Sequence, residues 1–565
     1  MLNRSVEQAI SWFLYIGVTF TTVFLMTDSV TDPVNSTKLA AAGGVGFAVF
    51  VIAVIQGRSE LKLSSIPLLM VLGLFVTAMV NSVIQSESPL SQNMYGVYGR
   101  QTGFIFYLVM SMVAIGASIL RTKKSFEKII KSLFIAGVIN VTYCAWVLIF
   151  GDFLSWNNPY KAILGLFGNP DFISAFLGIF IAAIFGYIAA PKQKALIRVP
   201  GTLLALVAFV EIHRSKAIQG VAVTVAGSAI VGFFLVRHHL KNRAWPIIYT
   251  TIVSTIGAFA LFGALQHGPL AKYVYKVSVS LRGQYWLAAT ETGKSHPLSG
   301  VGMDSYGDWY RRMRSEYAVT KLPGARVITN AAHNVILDFF ASGGWPLLIS
   351  YLATVGLGIW MILRITFRSR KYDPIFVSLA TIWICYQLQS IISINQAGLA
   401  IWGWVSLGAL VGYEFSTRDS KTEINSVSEK TKKVLASATN VFSPQLVGGV
   451  GAVIGLLIAV PPMSADMKWK SALKSQQLSK VEAALQGGYM QPNDSMRLAQ
   501  SVQMFEQSKL PDQAYKYAKK GIEFNPDYFD AWKVLYFVSK ANEEDKANAL
   551  SNMKRLDPKN PDVFQ

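Results

Sequence analysis

The chain has 565 residues, of which 52% are hydrophobic and only 15% charged, and its formal net charge is +20. A mean hydropathy of +0.38 argues against a soluble globular chain and for one that lies mostly in lipid. The positive charge would suit nucleic acid, but it is gathered in short loops between apolar runs, so no nucleic-acid partner is expected.

About thirteen apolar runs of roughly 17 to 23 residues, each long enough to cross the hydrocarbon core as a helix, centre on residues 9–26, 38–56, 66–84, 103–120, 128–150, 172–190, 199–213, 217–236, 245–265, 343–364, 374–393, 397–415 and 446–463. The first has one basic residue, Arg4, and no small-residue cleavage site before Asp28, the pattern of a retained helix rather than a removed signal peptide. Cys144 and Cys385 fall inside apolar runs, which predicts neither a disulfide nor a cysteine-ligated metal.

The loops between these runs divide by charge. Basic residues resist translocation, so RTKKSFEKIIK (from Arg121), PKQKALIR (from Pro191), RHHLKNR (from Arg237), RITFRSRK (from Arg364) and the linker 416–445 are expected in the cytoplasm. The opposite loops, near 27–37, 85–102, 151–171 and 394–396, are almost free of lysine and arginine. Arg100, Arg214, Arg282 and His333 then share the extracytoplasmic face.

Residues 266–342 form the one long loop that is neither lysine-rich nor linker-like, and it contains LRGQYWLAATETGKSHPLSGVG and the start of AHNVILDFFASGGWPLL. It separates an N-terminal group of spans (1–265) from a C-terminal group (343–465). From about Lys468 the chain turns polar and helix-favouring; Ala514 and Ala547 lie 33 apart and Pro526 and Pro558 lie 32 apart, near the period of a tetratricopeptide helix pair. One such unit cannot bury its own apolar face, so residues 466–565 are expected to stack at least two to three helix hairpins. An odd number of spans puts this domain outside the cytoplasm. The predicted fold is all-α: a polytopic membrane protein of about 12–14 transmembrane helices with a large extracytoplasmic loop and a C-terminal helical repeat domain.

Charged groups next to a lipid-embedded core are costly unless they pair or serve a substrate. Four contexts stand out: GVYGRQTG around Arg100, GLFGNPDF around Asn169, EIHRSKA around Arg214, and LRGQYW with Arg282 and Tyr285. Each arginine could equally snorkel to headgroup phosphates, and His333 or Asn334 could serve only as a helix cap. The combination is more telling. Two guanidinium forks can hold a diphosphate and take up the charge that grows as it leaves. A diphosphate needs no general acid, so only an acceptor hydroxyl must be deprotonated, and a histidine kept neutral by nearby arginines can do that. The membrane portion has no Asp-x-Asp pair in an extracytoplasmic loop, no H-E-x-x-H, no G-x-S-x-G and no phosphate-cradling glycine loop, so neither a catalytic metal nor a cofactor is expected there. Asp152, Asp171, Asp304, Asp308 and Asp338 are scattered, and their spacing establishes no carboxylate pair.

The segments DSVTDPVNSTKL, YGRQTGFIFYL, LFGNPDFISAFL, LRGQYWLAATETGKSHPLSGVGMDSY and AHNVILDFFASGGW resemble the bacterial O-antigen ligase and O-antigen polymerase superfamily over about residues 20–415. The resemblance implies catalytic roles for Arg214, Arg282 and His333, and donor binding by Arg100, Arg214 and Arg282 with Asn169 and Tyr285. It implies a plasma-membrane glycosyltransferase, metal-independent and inverting, that takes a glycan from undecaprenyl diphosphate. Acceptors in such a family are lipid A-core, a growing glycan or a protein side chain. The C-terminal domain departs from the minimal ligase pattern, leaves the acceptor open, and could recruit a protein partner. Two readings of other classes stand beside this one, a transporter or flippase for a lipid-linked saccharide and a non-catalytic envelope scaffold.

Overall fold

The computed structural model describes residues 4–418 and 442–563. Among these residues there are helices and loops and no strand. Every predicted apolar run forms a helix. Nine helices among the described residues are long and apolar enough to cross a membrane, or ten if Pro444–Ala459 and Pro461–Ser475, bent by 51°, count as one span. The other three runs fall short of a full span: Arg4–Val23 opens on charged and polar side chains, Phe104–Ser118 has 15 residues and Pro374–Ser390 has 17. All three still pack in the bundle. The chain is thus an all-α, multi-pass membrane protein, with fewer full-length spans than the apolar runs suggest. Of the predicted linker 416–445, residues 419–441 lie outside the described residues.

Side-chain contacts sort the loops into two ends. At one end the basic loops meet buried carboxylates: Arg121 lies 3.5 Å from Glu60, and Glu414 takes Arg364, Arg368 and Arg418. The other end gathers the loops near 27–34, 86–103, 151–169, 214–217 and 391–396, the long loop and the C-terminal domain. Lys38, fully buried, ties the first two helices together at this end by donating to the carbonyls of Thr21, at 3.2 Å, and Thr22.

The long loop is itself helical, with Val277–Ser295 as its main element and the shorter Tyr306–Met313 and Glu316–Thr320 packed nearby. Tyr285, Ala288, Ala289, Tyr306, Tyr310 and Ala332 form its core. Its later part is sewn to the helix Val335–Arg368 by backbone hydrogen bonds: Val301 N–H donates to Ala341 O at 3.0 Å, Gly302 N–H to Ser342 O at 3.0 Å, and Trp345 N–H to Pro297 O at 2.8 Å. This seam needs glycine. Gly300 (φ +63) would bring a Cβ to 2.1 Å from the Ser342 carbonyl carbon, and Gly344 (φ +63), where the long helix kinks, to 2.3 Å from Pro297 O. The PLSGVG and ASGGW motifs are therefore two sides of one junction.

Residues 461–563 make three successive helix pairs, with Trp469, Leu498, Phe505, Tyr517, Trp532 and Leu535 in their shared core. They dock on the same end of the bundle as the long loop. Arg314 is fully buried and its Nη2 reaches both carboxylate oxygens of Asp557 at 2.7 Å. Asp466 accepts the backbone N–H groups of Thr31 at 2.9 Å and Asp32 at 2.8 Å and pairs with Arg497 at 3.2 Å, while Asp494 accepts Tyr98 N–H at 3.2 Å.

Candidate active site at one end of the bundle

His333 stands in the left-handed backbone region (φ +56), uncommon for a residue with a side chain. Its neighbours hold it there. Asn334 caps the following helix by accepting Ile336 N–H at 3.1 Å and Leu337 N–H at 3.2 Å, and Asp338 accepts Ala332 N–H at 2.6 Å. The cap is Asn334, which leaves the imidazole free of that duty. His333 Nδ1 lies 3.2 Å from Ala331 O. A carbonyl only accepts, so this hydrogen bond requires the proton on Nδ1 and leaves the lone pair on Nε2. Burial, then the charges of Arg100 and Arg282, pull the imidazole down to about 4, against a smaller opposing effect of the Ala331 contact. His333 is neutral at pH 7.

Arg100 comes from the GVYGRQTG turn, and its Nε donates to Asn330 Oδ1 at 2.7 Å. Burial lowers its pKa while Asp304 and Asp338 oppose that as countercharges. Asp304 is anchored by Val97 N–H at 2.9 Å, and burial pushes its carboxyl up to about 6 although Arg100 pulls the other way. Arg100, Asp304, Asp338, Tyr107, Tyr306 and Asn395 enclose a cavity of about 20 Å³, enough for a single water.

Arg282 lies on Val277–Ser295, mostly buried, with Nη2 3.3 Å from Asp171 Oδ2. One turn on, Tyr285 packs its ring 5.5 Å from the His333 ring and its carbonyl accepts the Tyr306 hydroxyl at 2.8 Å. Asn169 caps Pro170–Ile188 through Asp171 N–H at 2.8 Å, so the GNPD motif aims the Asp171 carboxylate at Arg282. Of the predicted residues, Arg100, Arg282, Tyr285 and His333 come together, and Asn169 serves the group through the helix end it caps. Arg214 is exposed at the last turn of Ala195–Arg214, at the same end of the bundle, without an ion pair to a described residue.

No protein-family model matches the chain, and no curated protein matches it. Two guanidinium groups and a neutral imidazole with a free ring nitrogen suit an anionic ligand and a proton to be removed. Among the described residues, no three His, Cys, Asp or Glu side chains gather as a metal-holding group.

Asp171, Asp304, Asp338 and Asn330 are the partners that sequence reasoning left unassigned. The signal for Asp304 was its place inside the SGVGMDSY block, and for Asp338 its place just over one helical turn beyond His333. Asn330 offered none.

Proposed function

We propose that this chain is a metal-independent glycosyltransferase of the O-antigen ligase and polymerase kind. It works on the extracytoplasmic face of a bacterial plasma membrane and moves a glycan from undecaprenyl diphosphate to an acceptor hydroxyl. One observation carries this reading: His333 bonds through Nδ1 to Ala331 O at 3.2 Å, which leaves the Nε2 lone pair free, and burial with the charges of Arg100 and Arg282 keeps the imidazole neutral. Cations that depress a histidine have little use in a purely structural cluster, but they match a diphosphate whose oxygens they can take in bidentate pairs.

In this reaction the acceptor oxygen attacks the anomeric carbon from the face opposite the diphosphate. The new C–O bond forms as the bond to the diphosphate oxygen breaks, and its electron pair leaves with the diphosphate, where the guanidinium groups stabilise it. The acceptor proton passes to His333 Nε2. Attack from the opposite face inverts the anomeric centre. Arg214, exposed at the same end, would meet the donor from the membrane surface. The basic loops favour the cytoplasm for their end of the bundle and so support an extracytoplasmic site. Lipid A-core, a growing glycan and a protein hydroxyl all fit this chemistry as acceptors.

The test is transfer by the purified protein in nanodiscs from a labelled undecaprenyl-diphosphate glycan, with envelope extract supplying acceptors and with and without excess chelator. Transfer that persists in chelator supports the reading. Transfer that strictly requires a divalent cation contradicts the arginine clamp.

A further inference from the structure

A second cavity, of about 500 Å³, lies where the long loop and the 92–98 turn face the C-terminal helix pairs, a size usual for ligand sites. We infer that this cleft binds the acceptor as a neutral saccharide chain and that the C-terminal domain supplies half of its wall. The inference rests on the transferase reading and gives that reaction an acceptor class.

The chemistry of the lining carries the argument. The Ser495–Gln507 helix turns Met496, Ala499, Gln500 and Gln503 to the cleft, positions three and four apart that share one helix face. Neither Gln500 nor Gln503 hydrogen-bonds to a described residue, so each carboxamide keeps its donors and acceptor for a ligand. Tyr528 lines the same space and combines an apolar ring with a polar tip; Tyr98 lines it too, with its hydroxyl bonded to Thr31 Oγ1 and Arg497 over its ring. A ring to stack on a sugar face and carboxamides to meet hydroxyls are what a polyol requires.

Charge separates this cleft from the diphosphate site. Asp308, Asp494 and Asp530 stand against Arg311 and Lys533, and Arg311 is already engaged by Asp530 at 3.7 Å and Asp557 at 3.2 Å. A phosphorylated ligand gains little in such surroundings, whereas an uncharged one loses nothing. The cleft is also next to the chemistry: Asn330 lines both cavities and its Oδ1 accepts from Arg100 Nε at 2.7 Å. A saccharide seated there would end beside the guanidinium that holds the leaving diphosphate.

The experiment uses full-length protein in nanodiscs and, as probe, end-labelled oligosaccharides of two to six sugars from partial acid hydrolysis of the producing cells' envelope glycan. Tryptic peptides of the envelope proteins are the competing probe, and binding is read by fluorescence anisotropy. The inference expects saccharide binding that Gln500→Ala weakens at least tenfold and that Gln503→Trp, a bulky change at an exposed position, abolishes. Donor binding should be unchanged in both variants, which also shows that they fold. Saccharide binding unaffected by both substitutions, or binding of the peptides in place of the saccharides, overturns it. The two claims fail separately: a protein that binds saccharide in the cleft but transfers no glycan refutes the transferase reading, while one that transfers normally with Gln503→Trp refutes the cleft.

Discussion

Arg282 Nη2 lies 3.3 Å from Asp171 Oδ2, joining residues 111 positions apart and coming from two of the motifs that stand out in the sequence. The pair holds the guanidinium at the site, but it also sets a carboxylate where a diphosphate would bind. Asp171 is almost half exposed, with 43% of its side chain accessible, so the pair is worth only about 0.2–1 kcal/mol. Asp171→Asn keeps an acceptor for Arg282 and removes the repulsion. Donor affinity should rise by up to about fivefold, measured by titration with undecaprenyl-diphosphate glycan in nanodiscs. A tenfold or greater loss of affinity would mean that Asp171 is needed to orient Arg282.

The Arg314–Asp557 pair predicts how the C-terminal domain is attached. Both side chains are fully buried and bonded through two oxygens. Arg314→Ala leaves the Asp557 carboxylate buried with a weakened partner set, at a cost on the order of 3–5 kcal/mol. The domain should become much more sensitive to limited proteolysis between residues 461 and 563 while the membrane helices stay resistant. Replacing both residues by apolar ones should recover most of the resistance.

The pH dependence follows from the causes of the His333 shift. A base must be neutral, and burial with Arg100 and Arg282 holds His333 at about 4, below its usual 6.5. Protonation then removes activity only as pH falls towards 4, and the transfer rate should show no histidine limb between pH 8 and 5.5. Arg100→Gln removes one lowering influence and should move the acid limb upward. Asp304, raised to about 6 by burial, titrates inside the flat window, so the profile is best recorded in Asp304→Asn as well as in the native protein. Asp338 is a second buried carboxyl in the same cavity, so only a wild-type limb near 6.5 that survives both Asp304→Asn and Asp338→Asn would contradict an electrostatically depressed histidine.

Orientation is tested by labelling. Lys321 and Lys540 are exposed at the site end and Lys241 at the basic end, and the two native cysteines are buried. Single cysteines at the first two positions should react with a membrane-impermeant maleimide on intact cells, and one at Lys241 only after lysis. The reverse pattern would put the site in the cytoplasm.

Much of the fold was legible because apolar periodicity and length are local properties: every long apolar run became a helix, and the basic loops came together at one end. The boundary of the tenth span was less so: the apolar run centres on 343–364 with the helix-like AHNVILDFF before it, and the structure joins the two as one helix that the Asn334 cap starts at Val335 and that kinks at Gly344. The site was half legible. Arg282 and His333 were marked by chemical type and context, whereas Asn330 and Asp171 matter only through contacts across more than a hundred positions. Arg214 shows the opposite limit: a charge on a short turn reads as a site residue, and the structure leaves it exposed at the site end without a partner among the described residues.

If His333 is the base and Arg282 part of the diphosphate clamp, donor binding and glycan transfer come apart when each is measured on its own. His333→Ala should bind undecaprenyl-diphosphate glycan as the native protein does while transfer falls by about 10²–10⁴-fold. Arg282→Ala should lose both, and Arg282→Lys should recover little, because an ammonium cannot reproduce the bidentate fork. Transfer by His333→Ala at the native rate would contradict the account.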